Sequence, residues 1–227
     1  MGSVFTHTHR PKKVIEDLKE NRIKFSSPET DGNSTEIDQK KKEKMIKELN
    51  EFQDLISKEN KNIKLWVNYN PEIGDYFLYN NNILISFSEL YFGLNKGALF
   101  HEIGHYHYLK QELFFIGLNL IGYITFLGWG IYRKSVKTVG ASGLIFFSSL
   151  SLISRYFEKQ CDLYAVKKGY KQDLIDHFEK SKTENKKMKT KSWLFNLLIS
   201  KNGDDRLNYS HPALTTRIKY LEELNED

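Results

Sequence analysis

His101, Glu102 and His105 stand in the order His-Glu-x-x-His within ALFHEIGHYHYLK, residues 98–110. On a helix, positions i and i+4 share a face, so His101 and His105 can turn two imidazoles toward one metal ion. Glu102, one residue on, lies about 100° around the axis. It can flank a water on that ion without occupying a ligand position. Zinc lowers the pKa of such a water to about 7, and a neighbouring carboxylate can take its proton as it attacks a carbonyl. The bland alternative is two histidines and a glutamate on a polar helix face. A catalytic zinc needs a third protein ligand and an open fourth position, so the motif requires another donor from elsewhere in the chain.

Two uncharged stretches indicate where that donor comes from. LFFIGLNLIGYITFLGWGIY (113–132) runs for twenty residues without a charge, and TVGASGLIFFSSLSLIS (138–154) for seventeen. A bilayer core takes about 20 helical residues, with a lower limit near 17. The first stretch ends with Trp129 and Tyr132, where interface aromatics belong. The second carries Ser and Gly, which suit close helix packing in lipid. The competing reading is a helical hairpin buried inside a soluble protein. A membrane hairpin returns the chain to the face it left, so residues just before 113 must meet residues just after 154.

After 154 the sequence reads SRYFEKQCD, with Glu158 and Asp162 four residues apart on one helical face. Glu158 can complete the metal site. Asp162 can accept a hydrogen bond from a ligating histidine and fix its tautomer. His105 precedes the first span by eight residues, or about 12 Å of helix, which places the metal within about 15 Å of the membrane surface. His107, about 200° around from His105, faces away from it. The outer flanks hold Lys110, Arg155, Lys159, Lys167 and Lys168, against Arg133, Lys134 and Lys137 in the connecting loop. That excess puts both ends of the hairpin in the cytoplasm.

The chain of 227 residues can hold one domain of ordinary size, or a domain plus an insertion. The net charge of +5 is uneven, because residues 167–191, KKGYKQDLIDHFEKSKTENKKMKTK, are clearly basic. Such a run is a solvated face or a surface attracted to anionic lipid. No nucleic-acid-binding motif accompanies it, so nucleic acid is not an expected partner. Cys161 is the sole cysteine, which excludes an internal disulfide and a cysteine-rich zinc module and fits a reducing compartment. The first long apolar run begins after residue 112, so no secretory signal is expected. MGSVFT matches the N-myristoylation pattern, as a chance sequence also can.

Four segments follow. Residues 1–34 are expected to be loosely ordered in part, with a short helix at VIEDLKE. Residues 35–112 form the first half of a catalytic domain, 113–154 the hairpin, and 155–227 the second half. In the first half, Met45, Leu49, Phe52 and Ile56 recur at helical spacing. IKLWVNY (63–69) reads as a strand, DYFLYNNNILISF (75–87) as a hairpin around an Asn turn, and Asn95 as the N-cap of the motif helix. Beyond the spans, a helix ends at Gly169, and QDLIDHFEK, SWLFNLLIS and HPALTTRIKYLEELNED are further helices.

HEIGH, SRYFEKQCD and SHPALTTRI occur in that order, and with them the chain resembles the HtpX-like integral membrane zinc metallopeptidases. These include the CAAX prenyl proteases and the mitochondrial inner-membrane quality-control peptidase. The likeness covers roughly residues 40 to 225. It implies an α+β, mostly helical gluzincin-type fold with a small β-sheet, interrupted by the transmembrane hairpin. It implies zinc on His101, His105 and Glu158, Glu102 as general base and acid, and Asp162 as the supporting acid. His211 and Arg217 match the late His-Pro…Arg motif, whose members approach the site and stabilise the oxyanion or bind substrate. On its own, His211-Pro212 reads as a helix start capped by Ser210.

The chain departs from the family in three places. The Asn-Ala pair common in the strand before the motif helix is absent, which leaves only Phe77 to Tyr79 as a substrate-binding stretch. Cys161 stands at a usually small, apolar position. The N-terminal membrane helices of bacterial members have no counterpart, leaving the hairpin as the expected membrane part. The expected activity is a membrane-anchored zinc endopeptidase acting on membrane-associated or misfolded proteins or peptides, with its site on the cytoplasmic face. The alternatives are a non-proteolytic membrane adaptor or sensor with a structural zinc, and a BlaR-like signalling peptidase, for which no sensor domain is present.

Overall fold

The computed structural model describes residues 8–25, 35–69, 76–79, 81–190, 193–206, 208 and 211–224. MGSVFT, Ser210 and the stretch 26–34 lie outside the described residues, and with them the lipidation pattern, the Ser210 cap and part of the expected loose segment. The chain divides into two compact units, Met1–Lys96 and Gly97–Asp227.

The first unit contains β1 (Thr8–His9), α1 (Pro11–Lys19), β2 (Lys24–Phe25), β3 (Thr35–Glu36), α2 (Gln39–Glu59), β4 (Lys64–Asn68), β5 (Tyr76–Tyr79), β6 (Asn82–Ser86) and α3 (Phe87–Phe92). Asp38 starts α2 by accepting a hydrogen bond from the Lys41 N–H at 2.8 Å. The stripe Met45, Leu49, Phe52 and Ile56 is fully buried, as the spacing requires. The main sheet has the order β1-β4-β6-β5, and β2 pairs with β3 in a separate ribbon. β4 and β6 run parallel, while β5 turns back antiparallel on β6 and forms an edge. Asn81 takes φ 64° at that turn, a left-handed conformation that asparagine tolerates. Ile83, Leu84 and Ile85 are buried on both faces of β6 because it is a central strand.

The sequence pattern suggested neither the parallel pairing nor α3. It carried the second strand on to Phe87, whereas the Ser86 hydroxyl accepts a hydrogen bond from the Glu89 N–H at 3.2 Å and starts a helix there. Local capping overrides the alternation at that point.

The second unit is helical: α4 (Lys96–Tyr132), α5 (Val136–Lys167), α6 (Lys171–Lys189), α7 (Trp193–Leu198) and α8 (Leu214–Glu223). The motif helix and the first span are one continuous helix of 37 residues, and the second span continues into the Glu158 segment within 32 residues. α5 ends just before Gly169, which takes φ +85°, where a side chain would be strained. Both apolar stretches lie on helices long enough to cross a bilayer, and almost none of their surface is buried by protein. Phe114 is 62 % exposed and Leu144 73 % exposed. A hairpin buried within a soluble core would hide these side chains, so the membrane reading holds. Between the spans, Ser149 Oγ donates to Asn119 Oδ1 at 2.6 Å, and Asn119 Nδ2 donates to the Phe146 carbonyl at 3.3 Å. Polar side chains satisfied across helices are a normal adhesive in lipid.

Outside the spans, α4 and α5 approach closely at Gly104, where a Cβ would lie 2.9 Å from the Cys161 Cα. Cys161 is fully buried in that contact. Gly104→Ala therefore pushes backbone against backbone and is expected to destabilise the protein by about 1–3 kcal/mol. Gly117→Ala meets nothing within 4 Å and should leave stability unchanged. Thermal unfolding of both variants in detergent checks the contrast.

Candidate metal centre

The close contact at Gly104 brings two i, i+4 pairs face to face: His101 and His105 on α4, Glu158 and Asp162 on α5. The Nε2 atoms of the two histidines are 3.2 Å apart. Glu158 places Oε2 3.4 Å from His101 Nε2 and Oε1 3.3 Å from His105 Nε2. A tetrahedral ion with ligand bonds of 2.0–2.1 Å has edges of about 3.3–3.4 Å. Each histidine Nε2 thus stands about one such edge from the other and from one of the two Glu158 oxygens, so two imidazoles and one carboxylate converge on one site. Glu102 also has a carboxylate oxygen within 4.8 Å of ligand nitrogens on both histidines. Glu158 is nearer to each and buried, whereas Glu102 is partly exposed. The geometry favours Glu158 as the third donor and leaves Glu102 at the side of the site.

Behind the donors lies a second set of contacts. His101 Nδ1 donates to Asp162 Oδ1 at 2.8 Å, which turns Nε2 toward Glu158 and His105. Arg217, on α8, donates from Nε to Asp162 Oδ2 at 2.9 Å and from Nη2 to Asp162 Oδ1. Its Nη1 is 3.3 Å from Glu158 Oε2. The guanidinium lies over the Phe178 ring, 4.1 Å from its centroid. Tyr220, one helical turn past Arg217, donates its hydroxyl to Asp162 Oδ2. His211 sits on the solvent side with Nε2 2.9 Å from Glu158 Oε1, and Asn208 Oδ1 is 3.0 Å from its Nδ1.

Electrostatics follow from these contacts. Burial alone would raise the Glu158 carboxyl, but hydrogen bonds from His101, His105 and His211 hold it well below the usual carboxylate range. Burial also opposes ionisation of Asp162, and the Arg217 charge and His101 overcome it. Burial would lower His101, yet hydrogen bonds to Asp162 and Glu158 push it up to about 9. Two buried carboxylates therefore face one buried guanidinium. The second negative charge is met by a proton on His101 or by a cation in its place, and Glu158 Oε2 is buried without a hydrogen bond among the described residues. A divalent metal meets both demands.

Every candidate site residue drawn from the sequence lies in this cluster: His101, Glu102, His105, Glu158, Asp162, His211 and Arg217. His107 does not, because its ring stacks on Tyr164 at 5.5 Å on the other side of α4. Sequence reasoning missed Tyr220, Asn208 and Glu112. Tyr220 shares a helix face with Arg217 at i+3, and Glu112 shares one with His105 at i+7, so spacing could have flagged both. Burial pushes the Glu112 carboxyl up, with Glu158 adding to the effect against His105 and His211. Asn208 carries no signal in spacing, since it acts from a loop.

Residues 96–225 match the sequence model of peptidase family M48, more than half of the chain and all of the cluster. The protein belongs to peptidase family M48. The M48 chain is similar to the CAAX prenyl protease 1 homologue of Arabidopsis thaliana, 29% identical over 146 residues. That alignment covers 54% of this chain and 32% of the relative. It is likewise similar to the mouse and human homologues, 29% identical over 155 residues and 28% over 154, each alignment covering 57% of this chain and 30% of the relative. The chain thus spans about a third of the length of these relatives. With two exposed apolar helices long enough to cross a membrane, it is a member of that family whose second unit carries a candidate metal cluster.

The Asp162 contact gives a direct test of the cluster as a metal centre. Asp162→Asn keeps the shape but loses the carboxylate that holds His101 and Arg217. Its metal affinity is expected to fall by about 10–100-fold, read by competition with a chromogenic chelator, with helical circular dichroism retained.

Proposed function

We propose that this M48 peptidase is a membrane-anchored zinc endopeptidase that cleaves peptide bonds in membrane-associated or misfolded proteins and peptides. The observation that carries the reading is the convergence of His101, His105 and the Glu158 carboxylate at 3.2–3.4 Å, with a second carboxylate, Glu102, beside them. His101, His105 and Glu158 would hold the ion, and two imidazoles with one carboxylate suit zinc. Bound there, zinc supplies Lewis-acid polarisation of a carbonyl and acidification of water.

The chain's own residues carry the proton and fix the geometry. Glu102 is partly exposed and can take a proton from the attacking water, then return it to the leaving amine nitrogen. The half-exposed His211 imidazole, oriented by Asn208, can donate to the carbonyl oxygen as charge develops on it. Arg217 is buried, and its guanidinium is engaged with Asp162 and Glu158. It serves the posture of the ligands rather than the oxyanion contact that the family likeness implies. A purely structural zinc site would favour four protein ligands and needs no carboxylate beside the ion, which disfavours the adaptor reading.

The bilayer defines the substrate class. His105 and Glu158 sit on helices that run unbroken into the spans, about 12 Å or less from them along the axis. Peptide segments emerging from a membrane, or tethered to it, reach that level first. The excess of Lys and Arg on the outer flanks supports a site on the cytoplasmic face.

Glu102→Gln should retain zinc and lose peptide cleavage by about 10²–10⁴-fold. Metal analysis beside a fluorogenic peptide assay measures both, and full activity in that variant would sink the mechanism. For topology, Cys161→Ser serves as background for Lys110→Cys and, separately, Ser135→Cys. The two cysteines should react with an impermeant maleimide from opposite faces of sealed vesicles, Lys110→Cys from the cytoplasmic one.

A further inference from the structure

Outside the spans, the described residues of the second unit expose a concentrated apolar surface on α7. α7 exposes Trp193, Leu194, Phe195 and Leu197, with Trp193 79 % and Leu197 61 % exposed. Just before it, the last turn of α6 carries Lys186, Lys187 and Lys189. The peptidase reading uses neither feature.

Their level above the bilayer can be read from the helices. α4 is continuous, so Gly97, sixteen residues before the first span, lies about 24 Å above it. A Cβ on Gly97 would collide with the backbone of Leu174, near the start of α6. Phe178, four residues on, packs against Arg217, which bonds Asp162. Asp162 lies eight residues past the second span, about 12 Å above it. α6 therefore descends toward the membrane. Lys189 is eleven residues beyond Phe178, about 16 Å further along the axis, a length sufficient to reach the level where the spans begin. The chain after α7 is fastened to that end of α6. Asn185 Nδ2 donates to the Gly203 carbonyl at 2.9 Å, and the Arg206 N–H donates to the Leu198 carbonyl at 2.9 Å.

We propose that α7 and the last turn of α6 form an interfacial anchor on the same bilayer that α4 and α5 cross. Trp193, Leu194, Phe195 and Leu197 sit in the boundary between headgroups and acyl chains, and Lys186, Lys187 and Lys189 face anionic phosphate headgroups. Tryptophan and leucine beside lysines are the composition that this boundary favours. A surface of four apolar side chains is small for a stable protein interface, which disfavours a second copy of the chain as its cover. The anchor also borders the catalytic side. Phe195 and Leu198 line a cavity of about 500 Å³ together with Met188, His211 and Arg217. The inference rests on the membrane hairpin and stands apart from the peptidase reading.

The experiment uses the full chain reconstituted in vesicles of phosphatidylcholine, with and without phosphatidylglycerol, carrying brominated acyl chains. Trp66 and Trp129 are common to wild type and Trp193→Phe, so the difference between the two isolates the emission of Trp193. That emission should be blue-shifted, quenched by the brominated lipid and shielded from aqueous iodide. Phosphatidylglycerol should deepen the quenching. The triple variant Lys186→Glu, Lys187→Glu, Lys189→Glu, or added salt, should abolish that extra depth. Trp193 emission that is water-like and quenched by iodide in both lipids overturns the proposal. So does emission shielded from iodide and brominated lipid alike, which would mean that protein covers the helix. Quenching that ignores both phosphatidylglycerol and the charge reversal overturns the headgroup contact.

Discussion

The site depends on how closely α4 can approach α5 at Gly104. An antiparallel pair of helices keeps its register along its whole length, so one close contact fixes all the others. Cys161 opposite Gly104 brings Asp162 to His101 and Glu158 to His105. The same register, followed through the spans, pairs Asn119 with Ser149 and Gly130 with Val139 near the turn. A methyl group at the crossing would widen the gap between ligands that stand only 3.2–3.4 Å apart. The glycine within HEIGH is thus a packing requirement of the metal site, although it carries no chemistry.

Charge is the second constraint. Glu158 and Asp162 are buried beside one another, and neither could ionise there without a cation. Arg217 provides one, in contact with both carboxylates and stacked on Phe178. Its planar fork allows a two-point hold on Asp162 while a third nitrogen reaches Glu158, which a lysine could not do. The residual negative charge is what a proton on His101 satisfies in the metal-free protein and what a divalent ion would satisfy instead. Arg217 lies 116 residues from His101, yet it sets the electrostatic conditions under which His101 works.

Much of the fold was legible in the sequence because membrane constraints are strong. Uncharged runs of twenty and seventeen residues admit few structures, and the requirement that a hairpin return to its starting face pointed to Glu158 before any contact was known. The amphipathic stripe of α2 and the helices after Gly169 also follow directly from periodicity. The parallel pairing of β4 with β6 did not, since β5 intervenes in sequence but pairs on the outside, and no local pattern encodes that choice. α3 was hidden because Ser86 is both the last strand residue and a helix cap. In the site, spacing along a helix revealed residues that share a face, and so His101, His105, Glu158 and Asp162 emerged together. Arg217 and His211 came only from family likeness, because α8 reaches the cluster by tertiary packing. The buried posture of Arg217 was beyond a one-dimensional reading.

The balance of charge also explains how such a centre tolerates its location. Within about 12 Å of a bilayer, a group loses part of the water that would otherwise screen it, and unbalanced charge becomes expensive. Here each ionised group has a partner within hydrogen-bond or ion-pair reach: Asp162 with Arg217, His101 and Tyr220, and Glu158 with His101, His105, His211 and Arg217. Glu102 is partly exposed and His211 exposed, so both stand on the side that water reaches. The buried members can therefore remain fixed while a substrate is exchanged. A metal centre built this way can sit close to lipid without drawing the headgroup region into itself, because its charge is neutralised before it reaches the surface.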